Sequence, residues 1–358
     1  MNQRIRRNSG RRRRRRRRQQ RRAAVLLICL VILIGAVSAG VLIIRELTGN
    51  YTASYEADNY NKNLYQGTLF ASDLCVASEE VDLDGFVPDT DLHAAGLFNL
   101  DEDSVVCGYK LYDRLYPAST TKIMTALLAL KYGNMDDEVT ISSNATDFNW
   151  DEVTSGLRTG DKVSMYDLVC GLLLHSGNDC GTAIAEHIAG SENTFADMMN
   201  EEAASLGATG THFANPHGLH DENHYTTAYD LYLIFNECIK DERFVDIISM
   251  DSYTGTLTGS DGTVRNQVWT PTQAYGAGSA VEPEGVRVLG GKTGTTQQAG
   301  NCVILYDEDS SGHPYISVIM GADGTTRLYD QMNTLMQSGI AGTTSQDSQS
   351  SADEQTAE

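Results

Sequence analysis

The sequence predicts an α+β fold, in which an antiparallel sheet of about five strands is flanked by helices and interrupted by a mainly helical insert. Two apolar runs, residues 93–100 and 105–110, are separated by four turn-forming residues and predict a β-hairpin. Three strand-like segments at short intervals near the other end predict an antiparallel meander that completes a sheet of common size. These segments are residues 286–295, 301–306 and 315–320.

Helical patterns dominate residues 117–250, which we interpret as the insert. Pro117 is typical of a first helical turn, and residues 123–130 after it are apolar on every side, as in a buried helix. A helix over 165–174 should stop near Gly177, and a new one should begin at Cys180. We also expect a short strand at 139–141 and helices at 192–206, 228–240 and 325–337.

Charge divides the chain sharply. Residues 1–22 carry thirteen arginines and no acid, so the remainder has 14 basic against 48 acidic residues, a net charge of −34. Between these parts, residues 23–44 are 22 consecutive uncharged residues, enough for a helix to span a bilayer. Because the arginines precede this segment, the positive-inside rule predicts a cytoplasmic amino terminus and an extracellular remainder.

This end of the chain has two other interpretations. The arginine block, Arg11 to Arg18, also suits a nucleic-acid-binding tail, but it directly adjoins the apolar segment and no aromatic residues interleave it. We therefore expect no nucleic-acid partner. A cleavable signal peptide, with small residues at Ala36-Val37-Ser38, would make the protein secreted, but the apolar run is longer than a usual signal core. An uncleaved single-pass anchor in the cell membrane is the favoured interpretation.

Cysteine and histidine spacing does not predict a metal site. Six cysteines follow residue 45, which permits disulfides without choosing among 15 pairings, and buried free thiols fit equally well. None of them has a C-x-x-C spacing. His217, His220 and His224 are close in sequence, but the family resemblance described below implies that Asn215 to Gly218 form a structural loop, so we expect neither a metal nor a cofactor.

The strongest chemical signal is Ser119-x-x-Lys122 at the head of the predicted buried helix. Residues three apart lie on one face of a helix, so the lysine nitrogen can reach the serine hydroxyl. Desolvation at the edge of a core lowers the pKa of a lysine, which makes Lys122 a possible general base for Ser119. Taken alone, this short motif is more typical of a buried helix whose lysine stem lies along apolar surface and reaches solvent.

Two more motifs follow in order, Ser176-Gly177-Asn178 and Lys292-Thr293-Gly294. Such a trio is typical of class A β-lactamases and penicillin-binding proteins. The chain resembles the serine-type D-alanyl-D-alanine carboxypeptidases, low-molecular-mass penicillin-binding proteins of the S11 peptidase family. The resemblance covers roughly residues 90–337 and includes the longer strings Tyr116 to Lys122, Leu174 to Asp179, Asn215 to Leu219 and Gly290 to Gly294.

The resemblance implies a β-lactamase/transpeptidase-like fold, preceded here by one transmembrane helix. We expect a cytoplasmic segment (1–22), an anchor or signal peptide (23–44), a stalk and lead-in (45–90), a catalytic domain (91–338) and a disordered tail (339–358). Many relatives continue into a β-rich domain and an amphipathic anchoring helix. In this sequence we expect residues 23–44 to supply the anchoring instead.

The expected reaction removes the terminal D-alanine of a peptidoglycan stem pentapeptide through an acyl-enzyme on Ser119, with Lys122 as base. Ser176 would protonate the leaving amine. Asn178 would bind the substrate amide or hold Lys122. Lys292 would attract the substrate carboxylate, and Thr293 and Thr295 would offer it their hydroxyls. Gly294 has no side chain, so the substrate could lie along the strand edge there.

The resemblance also implies an oxyanion hole made by the backbone N–H groups of Ser119 and Thr295, and inhibition by β-lactams. Two alternatives remain. A class A-like β-lactamase would need a glutamate to resolve its acyl-enzyme, but no E-x-x-L-N string lies between Ser119 and Lys292. A catalytically inactive wall-binding scaffold is disfavoured because the reactive residues are all present.

Overall fold

The computed structural model describes residues 73–341, which contain two antiparallel sheets. Along most strands, buried and exposed residues alternate or nearly all residues are buried, and glycines or polar turns separate the strands. The strands are β1 Ala94–Asn99, β2 Ser104–Tyr109, β3 Glu138–Thr140, β4 Lys162–Ser164, β5 Tyr253–Thr258, β6 Val264–Trp269, β7 Val286–Thr296, β8 Gly300–Asp309 and β9 Pro314–Ala322.

The main sheet has five strands, as the sequence predicted, and their order is β2-β1-β9-β8-β7. The hairpin β1–β2 and the meander β7–β9 are joined by pairing of β1 with β9, in which Ala94 faces Met320 and Asn99 faces Tyr315. This pairing brings together segments more than 200 residues apart in the chain. It leaves β7, the strand that carries Lys292, at one edge of the sheet.

A smaller sheet of four strands, β3-β4-β5-β6, was largely missed by the sequence interpretation. Only the strand at 139–141 was expected, and it lies at Glu138–Thr140. Strands β3 and β4 have three residues each, too short for a clear alternating pattern. The insert is therefore helical with a small sheet beside it.

The helices lie close to their predicted positions. The helix expected over 165–174 ends at Leu173, and the one expected from Cys180 begins two residues earlier, at Asn178. Several begin at a side-chain cap, such as Thr227, whose hydroxyl accepts from Asp230 N. They are α1 Lys122–Tyr132, α2 Met165–Leu173, α3 Asn178–Ala189, α4 Glu192–Ser205, α5 Ala228–Cys238, α6 Glu242–Ile248 and α7 Thr325–Met336.

Helix α1 is the central element of the larger core. Its first nine residues, Lys122 to Leu130, are all buried, which confirms the prediction from their apolar sequence. A second cluster, which includes Leu328 and Met332 of α7, covers the other face of the main sheet. Residues 337–341 form a π-helical turn in which Ile340 is buried, so packing continues past the boundary expected at 338.

The six cysteines after residue 45 are buried and free, so the structure forms no disulfide among them. Within residues 73–341 no helix is long and apolar enough to cross a membrane. The arginine-rich segment, the apolar segment 23–44, most of the expected stalk and most of the expected tail lie outside the described residues.

Candidate active site

Ser119 lies on a short 3-10 helix, Ala118–Thr121, that leads directly into α1. The sequence predicted one helix starting at Pro117, whereas the regular α-helix begins only at Lys122. Ala118 has φ +49°, an uncommon value for a residue with a side chain. The turn is tied by a hydrogen bond of 2.7 Å from Thr120 Oγ1 to the Pro117 carbonyl oxygen. It leaves Ser119 only partly buried.

Lys122 is completely buried, and its amine lies 2.9 Å from Ser119 Oγ. The same nitrogen donates to Asn178 Oδ1 at 2.8 Å and to the His217 carbonyl oxygen at 2.6 Å. Burial holds the pKa of Lys122 well below its usual value, and the positive charge of Lys292 lowers it further. The amine is therefore neutral over a wider pH range than that of an exposed lysine.

These contacts orient the neutral amine. A neutral amine has two hydrogens and one lone pair, and two of the three neighbours of Lys122, Asn178 Oδ1 and the His217 carbonyl, can only accept. The two hydrogens are committed to those acceptors. The lone pair consequently points at the Ser119 hydroxyl, as a general base requires.

Ser176 and Lys292 form a second polar pair. Ser176 has φ +64°, a strained conformation for serine, at the sharp break between α2 and α3. The Lys292 amine donates to Ser176 Oγ and to the Thr293 carbonyl oxygen, each at 2.9 Å. Burial lowers the pKa of Lys292 to about 7. Its charge state therefore responds readily to a neighbouring anion.

The first turn of α3 is fastened by Asp179, a residue to which the sequence interpretation gave no role. Its carboxylate accepts from the backbone N–H groups of Ser155 at 2.8 Å, Leu157 at 3.1 Å and Cys180 at 2.9 Å. Asp179 is completely buried, and these bonds fix the segment around Ser155 against the helix start. These three hydrogen bonds thereby fix the position of Asn178, whose side chain accepts a hydrogen bond from Lys122.

Strand β7 approaches the nucleophile closely at Gly294. A Cβ atom there would lie 2.8 Å from the Pro117 carbonyl oxygen and 2.9 Å from Ser119 N, both backbone atoms. Only glycine fits at this distance. The strand edge therefore lies directly against the turn that carries Ser119.

The two threonines predicted to bind substrate flank Gly294 on β7, and both have protein partners. Thr293 Oγ1 lies 2.7 Å from Thr272 Oγ1. Thr295 Oγ1 donates to Asn301 Oδ1 at 3.2 Å. Both hydroxyls remain at least partly accessible on the edge strand.

The loop from Asn215 to Leu219 contributes more than sequence reasoning foresaw. His217 acts through its backbone carbonyl oxygen, which accepts from Lys122. Gly218 has φ +86°, and a Cβ there would lie 1.9 Å from the Ala118 carbonyl oxygen. The positive φ and the close backbone contact that require glycine at position 218 have no signal in the sequence beyond the string Asn-Pro-His-Gly.

His224 supports the nucleophile turn from behind. Its Nδ1 accepts from Ala214 N at 3.0 Å, so the proton of the neutral ring is on Nε2. Nε2 lies 2.7 Å from Thr121 Oγ1, which donates to the Ala118 carbonyl oxygen at 2.8 Å. Burial lowers the pKa of His224 to about 4 and that of His217 to about 3. Both rings are therefore neutral at pH 7.

The residues singled out from the sequence lie together. Hydrogen bonds join Lys122 to Ser119 and Asn178, and Lys292 to Ser176 and Thr293. Gly294, between Thr293 and Thr295, lies against the backbone of Ser119. Ser119 and Lys122 lie between the start of α3 and the edge of β7. The fold and this site, a partly exposed serine hydrogen-bonded to a buried lysine, are typical of one class of protein, the active-site serine enzymes.

Comparison with known proteins narrows the class to one family. The chain belongs to the peptidase S11 family, described as D-alanyl-D-alanine carboxypeptidase, which matches residues 88–324. D-alanyl-D-alanine carboxypeptidase DacF of Bacillus subtilis is 38% identical over 168 residues, 46% of this chain and 41% of that protein. DacA of Haemophilus influenzae is 30% identical over 274 residues, 74% of this chain and 66% of that protein. The chain thus spans less than two thirds of either relative.

Solved structures show the same fold. The crystal structure of the Streptomyces K15 DD-transpeptidase superposes with a TM-score of 0.65 and 25% identity, covering 71% of this chain and 98% of that one. The D-alanyl-D-alanine carboxypeptidase from Mycobacterium tuberculosis H37Rv superposes with a TM-score of 0.63 and 28% identity, covering 73% and 96%. The fold inferred from the three motifs is thereby confirmed.

Proposed function

We propose that this protein is a serine-type D-alanyl-D-alanine carboxypeptidase that removes the terminal D-alanine from peptidoglycan stem pentapeptides. The observation that carries the proposal is the buried amine of Lys122, 2.9 Å from Ser119 Oγ, with its two other partners both acceptors. This arrangement allows the Lys122 amine to accept the hydroxyl proton of Ser119, which makes Ser119 Oγ a nucleophile near neutral pH.

Acylation starts when Lys122 takes the hydroxyl proton of Ser119 and Oγ attacks the carbonyl carbon between the two D-alanines. The carbonyl oxygen then carries the negative charge. Backbone N–H groups of Ser119 and Thr295 would donate to it, consistent with the close approach of β7 at Gly294. One such donor is typically worth about 3 kcal/mol to the transition state.

Collapse of this intermediate breaks the peptide bond and forms the ester on Ser119. The leaving nitrogen takes a proton from Ser176 Oγ, which is replenished by the Lys292 ammonium to which it is hydrogen-bonded. Acylation leaves Lys122 as an ammonium, because it holds the proton of Ser119, and Lys292 as a neutral amine, because its proton has left with D-alanine. Water then attacks the ester, one of its protons passes to the Ser176–Lys292 pair, and Lys122 returns its proton to Ser119 Oγ as the shortened peptide departs. Both lysines and Ser119 are thereby restored.

Lys292 also provides the charge that recognises the substrate. With a pKa of about 7 it is only partly charged at neutral pH. The C-terminal carboxylate of the substrate favours the ammonium form, so binding loads this lysine with the proton that the leaving group needs. Thr293 and Thr295, on the same strand edge, would add hydroxyl donors to that carboxylate.

Labelling with a fluorescent penicillin distinguishes this proposal from its two alternatives. A β-lactam should acylate Ser119, and the slowly clearing label should be absent from Ser119→Ala. Rapid clearance of the label would favour a β-lactamase, and no label on folded wild-type protein would favour an inactive scaffold. Release of D-alanine from a D-Ala-D-Ala peptide by the wild type alone completes the test.

We further propose that residues 23–44 anchor the protein in the cell membrane, with residues 91–338 as the catalytic domain outside. Support comes from the uncharged 22-residue run and the arginines that precede it. Membrane fractionation of the full chain, compared with a chain lacking 1–44, tests the anchor. Recovery of the full chain in the medium would contradict it.

A further inference from the structure

Residues 270–276 form a loop that follows β6, and one of its side chains contacts the candidate active site directly. Thr272 Oγ1 lies 2.7 Å from Thr293 Oγ1, and either hydroxyl can be the donor. Thr293 adjoins Gly294, the residue at which β7 meets the backbone of Ser119. Thr272 belongs to none of the three sequence motifs and takes no part in the proton transfers of acylation.

The loop is fixed on both sides of Thr272. Before it, Trp269 is completely buried at the end of β6, and its Nε1 donates to the Ser155 carbonyl oxygen at 3.1 Å. After it, Ala274 N donates to the Tyr329 hydroxyl of α7 at 2.7 Å. Thr272 lies between these two attachments, so its hydroxyl is held beside Thr293 by the small sheet on one side and by α7 on the other.

The loop brings no charge to this part of the site. Residues 266–281 are 16 consecutive residues without an acidic or basic side chain, although the chain as a whole has a net charge of −21. An acidic side chain beside Thr293 would repel the carboxylate of a substrate, and a basic one would compete with Lys292 for it. Thr272 instead offers a neutral hydroxyl, which acts on the hydroxyl of Thr293.

The direction of the hydrogen bond between the two threonines decides what Thr293 can do. A hydroxyl has one hydrogen and two lone pairs, and an ionised carboxylate can only accept. If Thr293 donates to Thr272, its one hydrogen is used within the protein. If Thr272 donates, the hydrogen of Thr293 is free to point at the carboxylate, and each hydrogen bond in such a chain strengthens the next.

We propose that Thr272 is a positioning residue that donates to Thr293 Oγ1 and thereby turns the Thr293 hydroxyl toward the substrate carboxylate. The inference rests on the proposed carboxypeptidase activity and on the carboxylate site assigned to Lys292 and Thr293. Lys292 attracts the carboxylate by its charge, whereas the pair of threonines fixes where one carboxylate oxygen lies. Because Thr272 orients the Thr293 hydroxyl before the substrate arrives, less rotational freedom is lost on binding.

A double-mutant cycle tests the proposal, with kcat/KM for D-alanine release from a D-Ala-D-Ala peptide as the measurement. Valine keeps the branched shape of threonine without its hydroxyl. Thr293→Val should lower kcat/KM about tenfold to a hundredfold, the range for a hydrogen bond to a charged group. Thr272→Val should lower it about threefold to tenfold, the range for a hydrogen bond between neutral groups. In the Thr293→Val background, Thr272→Val should change kcat/KM by less than about twofold, because the hydroxyl through which it acts is gone.

Three controls separate positioning from a structural role. Thr272→Ser keeps the hydroxyl and should retain most of the wild-type kcat/KM. Thr270→Val makes the same change at another exposed threonine of the loop and should leave kcat/KM unchanged. Acylation of Thr272→Val by benzylpenicillin should slow about threefold to tenfold, whereas acylation by its methyl ester, which has no carboxylate, should slow less than about twofold. Thr272 is exposed, so none of its substitutions should shift the midpoint of urea unfolding.

The proposal is overturned if Thr272→Val keeps the wild-type kcat/KM, or if it lowers kcat/KM by the same factor with and without the Thr293 hydroxyl. A larger loss in Thr272→Val than in Thr293→Val would also overturn it, because Thr272 would then contact the carboxylate itself. Failure of the carboxypeptidase proposal gives a different result, since neither the wild type nor any variant would release D-alanine.

Discussion

Replacing Lys122 with methionine tests the central claim directly. Methionine keeps much of the buried aliphatic volume of lysine but has no base. Lys122 is completely buried and its three hydrogen-bond partners are neutral groups, so the change removes no surface charge and breaks no ion pair. General-base catalysis contributes about 10²–10⁴-fold, and we expect the acylation rate with fluorescent penicillin to fall by about that factor.

The same substitution has a stability cost that the structure allows us to bound. Asn178 Oδ1 and the His217 carbonyl oxygen both lose their donor. A buried acceptor left unsatisfied costs about 1–3 kcal/mol, partly offset here because an amine no longer has to be desolvated. We expect urea unfolding to show a net loss of about 1–3 kcal/mol, with the protein still folded at 25 °C.

Lys131→Met is the matched control, because it changes another lysine of α1 and also leaves a mostly buried acceptor, Glu202, without its partner. It should lose stability comparably while it acylates at the wild-type rate. The reasoning is refuted if folded Lys122→Met acylates within about threefold of the wild type, since general-base catalysis is worth far more than that.

Three further predictions follow from the site's supports. Gly294→Ala should lower the rate of acylation by about 10²–10³-fold, because an added Cβ would collide with the backbone N of Ser119. Wild-type acylation kinetics in this variant would contradict the close approach of β7. Asp179→Asn should destabilise the protein by about 2 kcal/mol in urea unfolding, since an amide cannot satisfy three N–H donors with one oxygen. Because burial lowers the pKa values of His217 and His224, the unfolded state binds more protons than the folded state below about pH 6.5. The free energy of unfolding should therefore fall as the pH drops from about 6.5 toward 4, and His224→Gln should make that fall less steep. An unchanged pH dependence in this variant would argue against a buried neutral His224 ring.

The local pattern of apolar residues was sufficient to predict most strands of the main sheet and most helices of the insert. The hairpin β1–β2, the meander β7–β9 and the long helices have enough residues for an apolar period to stand out. Strands β3 and β4 have three residues each and gave little such signal. The small sheet depends on pairing of β4 with β5, about 90 residues apart, which no local pattern encodes.

The site was predictable to the extent that its chemistry resides in side chains. Ser119, Lys122, Ser176, Asn178 and Lys292 were identified because reactive residue types recur in a recognisable order. The His217 carbonyl oxygen was missed because every residue has one, and only its position 2.6 Å from Lys122 gives it a role. Asp179 was passed over because its partners are backbone N–H groups, which carry no sequence signature.

The sequence by itself determined which groups are available: one nucleophile, two lysines and a glycine-rich strand edge, in a family order. Only the tertiary structure decided how those groups behave, because the pKa of Lys122 depends on burial and on the charge of Lys292, and its orientation depends on hydrogen bonds to residues 56 and 95 positions away. Desolvation and hydrogen bonding act through space. The same serine and lysine on a solvent-exposed helix would form the same sequence motif, but the lysine would stay protonated and the serine would not become nucleophilic.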